Sequence, residues 1–597
     1  MKLTKDVKTK FDKLEISSYT ELALLIPHSY EDLRLHEKLC EDTFQLIDAT
    51  VESVFWAKNT IQITFYVHNF GHTINAVIFR PKQFMMHQLS VGSRDYYYGM
   101  ITCKTGQCSM SMPKKITTMG SIIPKYKCGL RSDVMWRFIQ KELKEENLLK
   151  EGIPQEIINA VLSLHFVNPE ILQAQELEEH TLNALKFMEL HAYMKLLASK
   201  RREFEPLVSQ VGEYKEWAQQ LPFKLTNEQI STIKDIQKDF SLNKASKRMI
   251  VGDVGSGKTM VILAAALMML PHRSILMAPT TILANQLFEE ATKFLPNVKI
   301  VLVTSKSKKV DLSEYDFIIG THALLYRELP SAALVMVDEQ HRFGTAQRSM
   351  LDKLVSDGAK KPHFLQFSAT PIPRTLAMIE SAHIDVSLIT STPFKKDIDS
   401  KVIHKSDFKE LIEHIKEELS HNNQVLIVYP LVEQSEVLDY QSIEEARGFW
   451  EKNFSDVYVT HGKDKEKEQV LIDFREKGNI LISTTVVEVG ISLPKLTTVV
   501  IVGAERLGLS TLHQLRGRVS RTGLKGYCFL YTNQDASSRL DSFVKTTSGF
   551  DIANLDLKYR KSGDLLKGSS QSGNQFRWFD FGEDLEIVKS VKESLSL

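Results

Sequence analysis

The sequence predicts a multidomain chain: two tandem α/β units with parallel sheets, preceded by a small β-barrel and a helical linker. Three observations carry this. Short apolar runs alternate with helical patterns from about 216 to 395 (RMIV, SILMAP, VKIVLV, FIIGT, LVMVDE, FLQFSAT). The alternation repeats from about 396 to 545 (VLIVYP, VYVTHG, ILISTT, TVVIVGA, YCFLYT). Ahead of both, the texture changes to short strands of period two, broken by Gly, Asn and Pro.

Residues 1–45 read as a helical lead-in, with Ser17 or Ser18 capping a helix that carries Leu22, Leu25 and Ile26 and stops at Pro27. Residues 46–120 hold LIDATVESVFW, TIQITFYVHNF, HTINAVIFR, SRDYYYGMITCKT and QCSMSMPKKI, a spacing that predicts a small barrel of the OB type. Such barrels stack bases on aromatics, which makes Phe55, Trp56, Phe70 and Tyr96–Tyr97–Tyr98 candidates, although alternation turns about half of them into the core. Residues 121–215 carry helical spacing, as in DVMWRFIQKELKEENLL, and His165 within them reads as a packed or turn residue rather than a ligand. The two α/β units follow, over 216–395 and 396–545; residues 546–597 are polar, with Gly and Ser clusters and a final charged helix.

Bulk properties exclude more than they assign. Of 597 residues, 75 are Lys or Arg and 74 Asp or Glu, so a nucleic-acid partner cannot be argued from net charge. The longest apolar run, Met260 to Leu270, is too short for a bilayer, and no apolar segment backs the basic N-terminus as a secretory signal would. The five cysteines (40, 103, 108, 128 and 528) contain no C-x-x-C, which argues against a zinc site and reads as reduced thiols in a cytoplasmic protein.

The first α/β unit alone carries GDVGSGKT, Gly252 to Thr259, between the strand Met249–Val251 and a helix that begins near Met260. In that context Gly252, Gly255, Ser256 and Gly257 form a turn whose N–H groups cradle phosphate at a helix N-terminus. Lys258 reaches the β/γ-phosphates, and the Thr259 hydroxyl takes a Mg²⁺ position. The strand LVMVDE ends in Asp338, a second metal ligand, and Glu339, which polarises the attacking water. Upstream, Phe223 and Gln229 suit stacking on, and hydrogen bonding to, an adenine edge. In SATPIPRT, Ser368 and Thr370 suit a hydroxyl relay between hydrolysis and lobe movement. In the second unit Arg518 and Arg521 stand three apart and can neutralise the transferring phosphoryl group if the two lobes close.

The order GDVGSGKT, APTTILANQ, GTHAL, VDEQHRFG, SATPIPRT, STTVVEVGI, AERLGLSTLHQLRGRVSR resembles the superfamily 2 helicases, and within them the RecG family of bacterial ATP-dependent DNA helicases. DEQHRFG and HQLRGRV carry the closer resemblance, which covers nearly the whole chain. It implies two RecA-like lobes, ATP and Mg²⁺ as cofactors, and a monomeric motor that tracks duplex DNA. It also implies a barrel that acts as a wedge, regression of stalled forks, migration of Holliday junctions in repair and recombination, and a partner such as single-strand-binding protein. Matched by position, Phe223 and Gln229 fall on the adenine motif, His341 joins Asp338 and Glu339 in motif II, and Arg518 and Arg521 fall on motif VI. Pro279, Thr280 and Gly320 to Leu324 fall on motifs that touch the DNA backbone, and FDIANLDLKYRKSGDLLKGSSQSG resembles the translocation hairpin. The chain departs from the family at Ser520, usually Gly, at Ser492, usually Asp, and at Ser570, commonly Arg; RKSG also replaces a Gly-Pro-Gly turn.

Two other readings compete with this one. A protein-remodelling translocase like the transcription-repair coupling factor needs a polymerase-binding or damage-recognition module, for which the text leaves no obvious room. A nucleotide-gated binding protein with decayed catalysis is opposed by the presence of Lys258, Asp338, Glu339, Arg518 and Arg521.

Overall fold

Period-two burial closes the barrel. In a computed structural model of the chain, strands Thr43–Ala57 (β1), Thr60–Val67 (β2), His72–Phe79 (β3), Arg94–Lys104 (β4) and Gln107–Ile116 (β5) form a closed sheet in the order β1-β2-β3-β5-β4. All pairings are antiparallel except β3 with β5, and β4 closes back on β1. Ile47, Ala49, Val51, Ile61, Ile63, Phe65, Ile74, Ala76 and Ile78 point inward at alternate positions, with the Tyr97 ring 4.5 Å from Phe65. The structure describes residues 4–57, 59–81, 89–104, 107–117, 119–167, 177–210, 212–339, 343, 360–370, 372–394, 397–430, 440, 442–462, 464, 466–484, 493–520, 523–567 and 576–596.

The chain divides into two compact units, one of residues 1–193 with 576–579 and 586–597, the other of 194–575 with 580–585. The first unit holds the barrel and the helices Ser132–Glu142, Glu145–Lys150 and Gln155–His165. His165 is a core residue, as its sequence context suggested. Its Nε2 donates to the Ala23 carbonyl at 2.8 Å, so Nδ1 is left to accept from the Tyr126 hydroxyl at 2.9 Å. Ser18 caps the short helix Tyr19–Ala23. The lead-in and linker are not purely helical, because Ser29–Asp32 pairs antiparallel with Ile122–Lys125. Four residues are too few to show a period, so that pairing is invisible in the text. In the same unit the Glu189 carboxylate accepts the backbone N–H groups of Arg577, Trp578 and Phe579 at 2.6, 3.0 and 2.9 Å, tying C-terminal chain to the helix that begins at Glu179.

The cysteines correct the reading of five reduced thiols. Cys103 and Cys108 lie directly opposite in the β4–β5 hairpin, with Cα atoms 4.0 Å apart, and are joined as a disulfide. Cys40, Cys128 and Cys528 are free. Among the described residues no helix is long and apolar enough to cross a membrane.

The second unit contains both α/β lobes. In the first, strands Lys247–Gly252 (β6), Ser274–Met277 (β7), Ile300–Val303 (β8), Phe317–Gly320 (β9), Leu334–Asp338 (β10), His363–Ser368 (β11) and Asp385–Ile389 (β12) make a parallel sheet ordered β8-β9-β7-β10-β11-β6-β12. The central strands β7 and β10 are buried on both faces, which is why they read as unbroken apolar runs. In the second lobe, Ile398–Ile403 (β13), Gln424–Val428 (β14), Val457–Thr460 (β15), Ile480–Ser483 (β16), Leu496–Val502 (β17) and Gly526–Tyr531 (β18) make a parallel sheet ordered β13-β18-β17-β14-β16-β15. These are the two tandem RecA-like domains of the expected fold class, preceded by the OB-like barrel. Helix Gly549–Lys567 follows them.

Candidate nucleotide site

The site begins where β6 ends. Gly252 closes the strand, and helix Lys258–Met268 starts six residues later, with Gly257 as its N-cap. Gly255 and Gly257 take φ of 78° and 77°, a region open to glycine at little cost. Close packing adds a second constraint. A Cβ on Gly257 would fall onto Gln229 Nε2, and one on Gly252 onto Ser256 Oγ.

Gln229 is buried, and each end of its amide makes a hydrogen bond. Its Oε1 accepts from Thr226 N at 2.8 Å, completing a capping box on helix Asn227–Phe240, and its Nε2 donates to the Ser256 carbonyl at 2.8 Å. Its neighbour Glu228 accepts from Thr390 Oγ1 at 2.6 Å, Ser391 N at 2.6 Å and Ser391 Oγ at 2.9 Å. Burial opposes ionisation of Glu228, but these bonds outweigh it and hold the carboxyl below its ordinary pKa.

A cleft of about 740 Å³ gathers the expected residues. Phe223, Gln229, Gly255, Gly257, Lys258, Thr259, Asp338, Glu339 and Arg518 all line it. Gly252 and Ser256 are buried beneath the loop. Lys258 Nζ donates to the loop's own Gly252 and Asp253 carbonyls at 2.9 and 3.1 Å. Asp338 is buried at the end of β10 and accepts from Glu339 N at 3.0 Å. Burial first, then the charge of Glu339, push its pKa up to about 7, with Lys258 pulling the other way. Glu339 sits at φ 49° and accepts from Ala369 N at 3.3 Å, while Thr370 N donates to Ser368 Oγ at 3.2 Å. The SATPIPRT segment is thus tied to the acidic strand end.

The second lobe reaches the cleft through Gln514, Arg518 and Ser520. Gln514 Nε2 donates to Thr370 Oγ1 at 3.3 Å, and Arg518 is buried, 6% exposed. Ser520 takes φ 60°, which explains a preference for glycine at that place. His341, Arg521, Ser492 and Ser570 lie outside the described residues.

Sequence reasoning missed several residues that the fold brings here. Asp253, inside the phosphate loop, accepts from His513 of helix Leu509–Arg516 in the other lobe, 2.6 Å away. Leu283, Gln286, Glu290, Lys293 and Phe294 line the cleft from helix Thr281–Phe294, and Pro393 and Phe394 line it from the segment between lobes. No spacing signal could have found His513 or the residues of these two segments, since each is remote from the loop in the chain.

Two RecA-like lobes around one phosphate-loop cleft define a nucleotide-driven motor. Residues 226–379 match the model of the DEAD/DEAH box helicases, and residues 406–523 the helicase conserved C-terminal domain. The chain is 43% identical over 602 residues to the ATP-dependent DNA helicase RecG of Helicobacter pylori strain J99, covering 97% of this chain and 96% of that protein. To the RecG of Aquifex aeolicus it is 32% identical over 640 residues, covering 96% and 80%. Among solved structures, a RecG bound to a three-way DNA junction matches with a TM-score of 0.57 and 26% identity, over 100% of this chain and 84% of that one. The chain belongs to the RecG family of ATP-dependent DNA helicases.

Proposed function

We propose that this helicase uses ATP hydrolysis in the cleft to work on branched DNA, regressing stalled forks and migrating Holliday junctions. The supporting observation is the likeness to a RecG bound to a three-way DNA junction, which extends over the whole chain, barrel included. In this reading 46–120 is the wedge, 216–395 the ATP-binding lobe, 396–545 the second motor lobe and 546–597 the translocation hairpin and tail. The segments 1–45 and 121–215 are lead-in and linker.

Phe223 and Gln229 would take the adenine, and the loop N–H groups with Lys258 the phosphates. Phosphate oxygens would draw the Lys258 amine off the Gly252 and Asp253 carbonyls that now hold it. Mg²⁺ fits here, since Thr259 and Asp338 both present hard oxygen donors to one cleft, and a cation would relieve the burial, and next the Glu339 charge, that raise the pKa of Asp338. When bound, the ion neutralises charge building on the phosphoryl oxygens. Glu339, steadied by Ala369 N–H, would orient the attacking water, with His341 beside it in the motif, while Arg518 and Arg521 would meet the γ-phosphate. Thr280 caps helix Thr281–Phe294 after β7, and Thr321 caps the 3₁₀ turn His322–Tyr326 after β9, where N–H groups suit DNA phosphates.

The test is an ATPase assay over forked, four-way, linear duplex and single-stranded DNA at one stated salt concentration. Forked and four-way DNA should stimulate most, and Lys258→Ala should abolish turnover while keeping branched-DNA binding. Equal stimulation by every DNA would remove the branch-specific reading. Normal turnover by Lys258→Ala would remove the site assignment.

A further inference from the structure

We infer that Phe394 is a second aromatic wall of the nucleotide-base pocket, and that Glu228 is the positioning residue that holds the interlobe segment against it. The inference rests on the proposal that the Phe223–Gln229 end of the cleft takes the base. The ligand class is the purine ring of a nucleoside di- or triphosphate.

Phe394 is 69% exposed, yet it lines the same cleft as Phe223, itself 39% exposed. Among the described residues Phe223 has one partner ring, Phe294, met edge-on at 5.9 Å and 78°, a contact that does not cover the face of the Phe223 ring. An aromatic side chain left in water at the mouth of a cleft gains most by covering a flat heterocycle, where both surfaces lose contact with water.

Its placement is not left to a slack connection. Phe394 lies in the eight residues between Ile389, the end of β12, and Ile398, the start of β13. Glu228 accepts three hydrogen bonds from Thr390 and Ser391 at the start of that segment. Thr392 Oγ1 donates to the Phe394 carbonyl at 2.9 Å and fixes the turn that presents the ring. Glu228 and Gln229 are consecutive in the first turn of one helix, and Gln229 bonds the phosphate loop through Ser256 O. One helical turn therefore anchors the phosphate loop on one side and the interlobe segment on the other. A base seated between them would touch chain that continues into the second lobe.

The experiment measures inhibition of ATP hydrolysis by ADP and by inorganic pyrophosphate, which has no base, in the full-length protein. Phe394→Ala should weaken ADP by about tenfold, in line with the usual cost of losing a base–aromatic stack, and leave pyrophosphate within twofold. Phe394→Tyr should restore ADP, and Glu228→Gln should shift ADP alone in the same direction as Phe394→Ala, by about threefold. Because Phe394 is exposed, its truncation removes no core contact. An unchanged ADP constant in Phe394→Ala, or equal losses for ADP and pyrophosphate, would overturn the inference. Phe223→Ala separates the two claims. If it weakens ADP while Phe394→Ala does not, only this inference fails; if Phe223→Ala also has no effect, the base-site reading fails with it.

Discussion

His513 Nε2 donates to Asp253 Oδ1 at 2.6 Å, a hydrogen bond between the phosphate loop of one lobe and helix Leu509–Arg516 of the other. The same Asp253 carboxylate accepts from Val254 N at 2.6 Å and from Gly549 N at 2.9 Å, where helix Gly549–Lys567 begins. Arg516 donates to His513 Nδ1 at 3.1 Å and to the Phe543 carbonyl at 3.3 Å, with its guanidinium 4.3 Å from the Phe543 ring. A buried carboxylate thus joins three segments that the chain keeps far apart. Removing it leaves buried donors without that acceptor, a loss of about 1–3 kcal/mol each. We expect Asp253→Ala to speed hydrogen exchange at the Gly549 amide by about tenfold or more. We also expect Asp253→Ala and His513→Ala to be non-additive in thermal unfolding by about 1–3 kcal/mol. Strict additivity would mean the pair carries no coupling.

Ser520 offers a gain rather than a loss. Its φ of 60° costs a residue with a Cβ roughly 1 kcal/mol or more, and glycine is exempt from most of that. Ser520→Gly should therefore raise the unfolding midpoint of the motor by a few degrees, about what 1 kcal/mol is worth in a lobe of this size. A lower midpoint in a melting curve would show that the serine is held by contacts worth more than its strain.

How much of this was legible in the text follows from locality. Gly252 to Thr259 and Asp338–Glu339 could be read because each lies at the end of a contiguous apolar strand, where a motif and its context sit side by side. The central strands β7 and β10 were equally plain, being buried on both faces. The edge strands β12 (DVSLI) and β13 (IDSKVI) carry no such signal, since these two mix polar and apolar residues with no clean period. The barrel was legible as alternation, but not which aromatics it exposes. Phe55 is 65% exposed and Trp56 38%, whereas Tyr97 and Tyr98 are buried and Phe70 packs on the core. Asp253 and His513 are 260 residues apart, and no spacing rule connects them.

His165 gives the first unit an acid limit. Burial lowers its pKa from 6.5 to about 4, the Ala23 carbonyl acting weakly the other way. In the unfolded chain the ring protonates as pH falls through 6.5; in the folded chain it stays neutral until about 4. Unfolding therefore takes up a proton across that window, and stability is full above it and falls on acidification, by up to about 3 kcal/mol. Denaturant titrations of the full chain between pH 7 and 4 should show this slope in the transition of the first unit, and His165→Phe should flatten it. An unchanged slope in the variant would place the acid sensitivity elsewhere.

The barrel's exposed aromatics make the last test. Phe44, Phe55 and Phe79 are 58%, 65% and 55% exposed, with Trp56 beside Phe55 on β1, so shortening Phe55 or Trp56 leaves the inward row of Ile47, Ala49 and Val51 untouched. Deleting residues 1–118 would be a poorer probe. It would strip helix Lys5–Leu14, whose Phe11 packs edge-on against Phe138, and would remove the Tyr19 and Thr20 groups that bond Glu151, so loss of function would report damage to the rest of the unit. If the barrel is a wedge that meets unpaired bases at a branch point, Phe55→Ala with Trp56→Ala should weaken binding to a four-way junction by about tenfold, the worth of one or two lost base stacks. Binding to linear duplex, where no base is unstacked, should change by less than twofold. Equal weakening on both DNAs would mean the aromatics serve general affinity, and no weakening on either would move the branch-sensing surface off this face of the barrel.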